Sequence, residues 1–576
     1  MVKKIFFALI ISLCAISNAS AFQQQLDQFS DPYFEMADAT FDKESAYNTV
    51  AFVEKYWRVV GNNGFNQSIY HVVERLKTAG FVEEDAASDS DRLVYRIEKR
   101  PLKNPTWEPI SGSLKLASGE EILNFKTNFN MIAMNSYGTD GEQTFEMVYV
   151  GDSKANELDD YDIKGKIIVG ENSPSFLFRE GVQKRGAIGV ISHRLPGYNQ
   201  SSKHRNSISF TGVPRDEKAK SFGILTSYNA YNKILDAIFK EQYAVKVNLE
   251  TKIYPSEELT LVAELRGSKS PEERFVFSAH VQEPGANDNA SGVGVLMEVA
   301  SSTARLLKAG KVDPERTITY LFGDEITSTR RFIQEDSERA KNIKWGMSLD
   351  MVGQNTDLTG GTFLIEKMPD PGAIWVRGIE KHSEWGGRPL QKKDLKPHYF
   401  NDLTIGVFKN IGSKKDWTVK FNPFEGGSDH VPFLTGNIPG VLLWHFTDEF
   451  YHTDGDRIDK VSKETLHNVG IGAMMISLML TENKPQLANA VLLEASTQAA
   501  LRLTSELRLS KEIVADGGDR KQEVDILGTW ATYYRNVFDT TLDLEPKDMK
   551  AFQKNLNDTK YALSGLISLS MSQLKK

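Results

Sequence analysis

Six residues of types that hold metal ions or move protons stand at or just beyond the ends of apolar runs. His280 closes RFVFSAH, and Asp288 follows eight residues later in the polar turn NDNASG, just before a stretch with helical spacing. Asp324 and Glu325 close RTITYLFGDE, Asp350 closes KWGMSLD, and His452 stands near the end of IPGVLLWHFTDEFYHT. Ligand sites in an α/β sheet form beyond the carboxyl ends of its strands, so side chains from separate runs can converge there. Two imidazoles and several carboxylates suit a hard-to-borderline divalent ion, most often zinc. Such a set can hold two ions if one carboxylate bridges, leaving an open position for water. A further carboxylate can then act as general base. Each residue also has a plainer reading. A strand-end histidine is commonly a satisfied structural residue, an aspartate before a helix is a cap, and DE after a strand is a solvated turn. Jointly they are harder to explain by packing, because buried carboxylates are costly unless paired or metal-bound.

The runs that must position these residues are continuous and apolar, as in strands buried on both faces of a sheet. They begin near residue 255 and alternate with helical stretches, among them 290–309 and 463–482. This predicts an α/β fold with a largely parallel sheet. Upstream, 45–81 reads as helix, Gly-rich turn, helix, and 91–101 alternates like a strand. Residues 22–44 read as an irregular lead-in. Residues 126–250 read as a compact module of short β and α pieces with no cluster of metal-ligand types. Residues 486–576 read as amphipathic helices broken at Gly517-Gly518.

A chain of 576 residues is too long for one core and suggests two to four units. The net charge of −8 and the lack of a long basic run argue against nucleic acid as a partner. The opening MVKKIFFALIISLCAISNASA has a basic start, a short apolar core and a small-x-small end, the pattern of a signal peptide cleaved after Ala21. Export to the periplasm or beyond is therefore expected, without stable membrane insertion after cleavage, since no later run is long and apolar enough to span a bilayer. Cleavage would also remove Cys14, the sole cysteine, leaving a metal site only His, Asp and Glu to use.

PGANDNASGVGVLMEVA, SLDMVG, GGSDHVPFLTGNIPGVLL and YHTDGDRIDKVS resemble, in order, the segments of the zinc aminopeptidase family of co-catalytic dizinc exopeptidases. Its relatives include bacterial leucyl aminopeptidase, glutamate carboxypeptidase, glutaminyl cyclase and the transferrin receptor. The resemblance covers 45 to about 483. It implies a three-layer sandwich, with a mixed, mostly parallel sheet between helices, and peptide substrates. The catalytic domain would be formed by 22–125 and 251–485, interrupted at 126–250 by a protease-associated insert, with 486–576 as a helical tail outside the resemblance. It further implies two zinc ions. His280, Asp288 and Asp350 would hold one, Asp288 would bridge, and Glu325 with His452 would complete the other. Asp324 would be the general base.

Three departures from the family pattern stand out. Gln282 replaces the aspartate that orients the first histidine, with Glu283 as a possible substitute. The family's EE pair is GDEI here. The preferred alignment makes Asp324 the base and Glu325 the ligand; the alternative makes Glu325 the base and puts Ile326, which cannot bind zinc, at the ligand position. TSTRRF replaces a glycine–leucine segment. Trp345, Trp417 and Tyr399 are candidates for a substrate-pocket wall, and Ser428-Asp429-His430 reads as a turn near the pocket rather than a nucleophile triad. An inactive receptor-like relative, a carboxypeptidase and a glutaminyl-cyclase-like enzyme are the alternatives to an aminopeptidase.

Overall fold

The computed structural model describes residues 25–574, so the signal-peptide reading lies outside the described residues. A nine-stranded sheet runs in the order Val82–Glu83, Leu93–Pro101, Glu257–Leu265, Arg316–Gly323, Ser270–His280, Ile343–Leu349, Gly440–Phe446, Thr362–Glu366, Val419–Asn422. Its centre, Arg316–Gly323 through Gly440–Phe446, is four parallel strands, with an antiparallel neighbour on each side. Alternate side chains leave the sheet on opposite faces. Phe275, Phe277 and Ala279 point into the larger core with the helices Lys43–Val53, Asn63–Ala79, Ala290–Lys308 and Lys463–Glu482. Val276 joins Phe332, Ile333 and Phe433 in a smaller core on the other face, beneath Thr327–Gln334 and His430–Thr435. The layers are helix, sheet, helix, as the resemblance implies.

A second, seven-stranded sheet has its own core. It begins at Thr106, ahead of the boundary at 126 expected from the sequence. The strand Thr106–Leu116 pairs antiparallel with Ala244–Tyr254, and Glu121–Asn124 pairs with Thr106–Leu116. Alternation identifies such a strand but not the sheet it joins, and this pairing closes across more than a hundred residues of chain. The lead-in also differs from its irregular reading: residues 25–40 are helical, burying Leu26, Tyr33, Phe34 and Ala37 at helical spacing. The tail forms the helices Leu487–Ala515, Arg520–Thr540 and Met549–Leu574, the first break falling at Gly517 with φ +89°. Among the described residues no helix is long and apolar enough to cross a membrane.

Candidate metal centre

The parallel strands end on one edge of the nine-stranded sheet, and the loops beyond that edge fold over it. His280 is the last residue of its strand. The loop that follows is clamped by the buried Arg58, whose Nε donates to the Val281 carbonyl (2.7 Å) and whose Nη2 donates to that of Gly285 (2.8 Å). Asp456 accepts the backbone N–H groups of Asn287 (2.8 Å) and Asp288 (3.0 Å). Asn289 caps the helix Ala290–Lys308 by accepting the Gly292 N–H (3.0 Å) and donates to the Leu349 carbonyl (2.9 Å). One side chain thus ties the turn carrying Asp288 to the strand end carrying Asp350. Glu325 is held by its N–H to Gln282 Oε1 (2.8 Å), and the Ser428 hydroxyl donates to Asp350 Oδ2 (2.8 Å).

These loops bring the five expected ligands together, with one addition. Ligand atoms of His280, Glu325 and Asp350 lie within 4.8 Å of one another, and so do those of Glu283, Asp288 and His452. Asp288 faces both histidines: Oδ1 is 3.6 Å from His280 Nε2 and Oδ2 is 3.1 Å from His452 Nε2. Asp350 Oδ1 is 3.2 Å from His280 Nε2, and Glu283 Oε2 is 3.2 Å from His452 Nε2. The pairing differs from the one implied by resemblance. Glu325 stands with His280 and Asp350, and Glu283 accompanies His452. Asp324 belongs to neither group; its N–H meets Ser328 Oγ (2.7 Å) and its carboxylate lies beside Thr327.

The chain is held in unusual conformations here. Glu283, Ile326, Met351 and His452 have φ of +83°, +61°, +55° and +56°. Such values are uncommon outside glycine and persist where surrounding contacts over-determine them. His280 is oriented through Nδ1, which lies 3.3 Å from the Gln282 carbonyl. That backbone contact does the work expected of an aspartate at 282. Of the residues considered as pocket walls, Trp345 and Tyr399 are fully buried and hydrogen-bonded to each other (2.8 Å), and Trp417 packs on Phe363. Trp345 and Tyr399 are core residues, and Trp417 is partly buried against the same core. Ser428-Asp429-His430 is no triad: Asp429 accepts the Ile326 N–H (2.6 Å), and His430 turns to Glu366 (2.8 Å).

Burial should push carboxylates up and imidazoles down. Asp288 follows, raised by burial and by Glu283 to about 6, and burial raises Glu325 well above its usual value. The histidines do not follow. Burial depresses His280, but Asp350, Glu325 and Asp288 more than reverse this and hold it well above its usual value. Glu283 and Asp288 likewise overcome burial to lift His452 to about 10. Four carboxylates surround two imidazoles, and among the described residues the ion pairs of Asp288, Asp350 and Glu283 are to these two histidines and not to a lysine or arginine. Yet His280 Nε2 and Asp350 Oδ1 are buried without a hydrogen-bond partner. An excess of negative charge and orphaned donor atoms facing one another fit a divalent cation, and imidazole with carboxylate is a zinc-type donor set.

The family model for peptidase family M28 matches residues 260–477, which contain all six of these residues. Over this stretch the chain is similar to peptidase family M28. Over 216 residues, the chain is 26% identical to aminopeptidase YwaD of Bacillus subtilis (strain 168), covering 35% of this chain and 40% of that protein. Over 224 residues it is 23% identical to a probable zinc metalloprotease of Leptosphaeria maculans, covering 35% of this chain and 50% of that one. The chain thus spans half or less of the length of these two relatives. A crystal structure of BSAP, a zinc aminopeptidase from Bacillus subtilis, superposes with a TM-score of 0.53 at 16% identity, over 78% of this chain and 97% of that one. The structure of a peptidase M28 precursor from Shewanella amazonensis does so with 0.52 at 15% identity, over 79% and 97%. At such identities these two show that the fold is shared.

Proposed function

We propose that the chain is an exported dizinc metallopeptidase acting as an aminopeptidase, removing residues from the N-termini of peptides. The observation that carries this is Asp288, a buried carboxylate with one oxygen toward each of two histidines, the arrangement a bridging ligand needs. His280 and Asp350 would hold one ion and His452 the other. The M28 match and the aminopeptidase and zinc metalloprotease names of the relatives support the reaction class.

Zinc held here would polarise the scissile carbonyl and acidify water. The chain's own part is to align them and to move the proton. A carboxylate of the Asp324–Glu325 pair takes one proton from water, whose oxygen bonds to the carbonyl carbon. The C–N bond breaks as that proton passes to the leaving amine. Burial raises both members of the pair, to about 6 for Asp324, the direction that favours accepting a proton.

Digestion of a mixed peptide library, read by mass spectrometry with and without a zinc chelator, tests this reading. Chelator-sensitive loss of N-terminal residues is the expected result. C-terminal trimming would reverse the substrate end while keeping the metal chemistry. Cyclised N-terminal glutamine, or no turnover, would move the assignment to the cyclase or receptor-like alternative.

A further inference from the structure

We propose that Glu283 is the third protein ligand of the ion held by His452, and that Glu325, freed from that role, is the general base. This rests on the dizinc reading and changes who does what within it.

The argument begins with supply. Two ions sharing Asp288 divide the site evenly if Glu283 is a ligand: His280, Asp288 and Asp350 for one, His452, Asp288 and Glu283 for the other. Each set is one imidazole and two carboxylates, the three protein donors that leave a catalytic zinc an open position. Glu325 is then the spare carboxylate. It stands within 4.8 Å of the donor atoms of His280 and Asp350, and Gln282 holds it from both sides: its N–H meets Gln282 Oε1 (2.8 Å) and its Oε2 lies 3.3 Å from Gln282 Nε2. The alternative without Glu283 leaves the His452 ion to be completed by Glu325, which is grouped with the other histidine.

The chain also shows why a substitute is needed. If GDEI is aligned so that Glu325 is the base, the next position is Ile326, which has no donor. Glu283 supplies the missing carboxylate from a different loop. Its N–H donates to the Arg58 carbonyl (2.9 Å), its φ is +83°, and this returns its side chain to His452 instead of releasing it to solvent. Arg58 thereby fixes both ends of the loop from Val281 to Gly285.

Zinc content of the full chain, measured by elemental analysis after dialysis against limiting zinc, distinguishes these assignments. The expected stoichiometry is two ions for the wild type and for Glu325→Gln, and one for Glu283→Gln. Glu283→His, which restores a donor of another type, should recover the second ion. Thermal melts of the metal-free variants separate ligand loss from misfolding. Glu325→Gln should lower kcat by about 10²–10⁴-fold with its zinc retained. Two ions in Glu283→Gln, or one in Glu325→Gln, overturns the proposal. A wild type that binds fewer than two ions overturns the dizinc reading itself, and the proposal with it.

Discussion

Two regions of the molecule bury several carboxylates, and they resolve the cost in opposite ways. Beneath the C-terminal helices, Lys367 donates to Asp370 (2.5 Å) and Glu380 (2.8 Å), and Arg502 also reaches Glu380. Arg377 bonds Glu506 (2.8 Å) and Glu523 (2.7 Å). Lys367, Asp370 and Arg502 border a cavity of about 260 Å³, and the Arg377 and Arg502 pairs join the tail to the rest of the chain. At the strand ends, four carboxylates meet two imidazoles, while the nearby guanidinium of Arg58 is committed to backbone carbonyls. Burial of acids therefore does not mark a metal site. The mark is a deficit of fixed counter-charge, with donor atoms left facing one another.

The comparison is broken most directly by removing one acid from the metal end. Asp288→Asn keeps the shape but loses the ligand that both proposed ions would share, so bound zinc should fall well below one per chain and peptidase turnover should vanish with it. Retention of both ions by this variant would show that Asp288 does not bridge. Lys367→Met tests the other end. It leaves Asp370 and Glu380 short of a buried partner and should cost roughly 3–5 kcal/mol in denaturant unfolding. Zinc content should be unchanged, and the loss should be the same with and without chelator.

The same contrast explains how much of this site was legible in the sequence. His280, Asp288, Glu325, Asp350 and His452 stand at or beyond the ends of recognisable apolar strands, so pattern and residue type together located them. The parallel sheet and the tail helices followed from periodicity for the same reason. Glu283 and Arg58 had no such signal. Glu283 sits in a loop whose direction depends on a left-handed backbone turn, and it faces His452 rather than His280, the residue it was considered for orienting. Arg58 acts across more than two hundred residues of sequence, from a position that reads only as helix end. The start of the seven-stranded sheet at Thr106 was hidden because strand pairing is a tertiary choice.

Between the two regimes lies Glu494, buried on the first tail helix with Oε2 unpartnered and Oε1 accepting from Gln498 (2.7 Å). Burial raises its pKa from 4.5 to about 7. Between those values the folded chain keeps a proton that the unfolded chain has released, so stability falls as pH rises from about 4.5 to about 7. Glu494→Gln removes the titration and preserves the oxygen that Gln498 uses. It should stabilise the protein at pH 8 by up to about 3 kcal/mol and have little effect at pH 4, as read from paired unfolding curves. A pH-independent effect would mean that packing, not charge, limits this site.

The smallest effect is expected where the seven-stranded unit touches the metal end. Its strand ends Gly170, Ser192 and Leu225 carry no ionisable group, yet one of its loops holds the segment that bears His452. Asn199 Nδ2 donates to the carbonyls of Glu449 (3.1 Å) and Tyr451 (3.0 Å), and Asp454 accepts the Ile208 N–H (2.8 Å). The Phe210 N–H donates to the His452 carbonyl (2.8 Å), and the two rings lie 4.5 Å apart. Phe210→Ala removes the ring contact but keeps the backbone bond. Loss of support for a ligand commonly costs 10–100-fold in metal affinity. A loss of about 10-fold for the His452 ion alone is expected, measured by competition with a chromogenic chelator. Phe145→Ala, which perturbs that unit's own core at the Phe222 contact, is the control and should leave both affinities unchanged. Equal zinc binding by wild type and Phe210→Ala would reduce the unit to a neighbour of the site; a selective loss would make it part of the site's support, although it contributes no ligand.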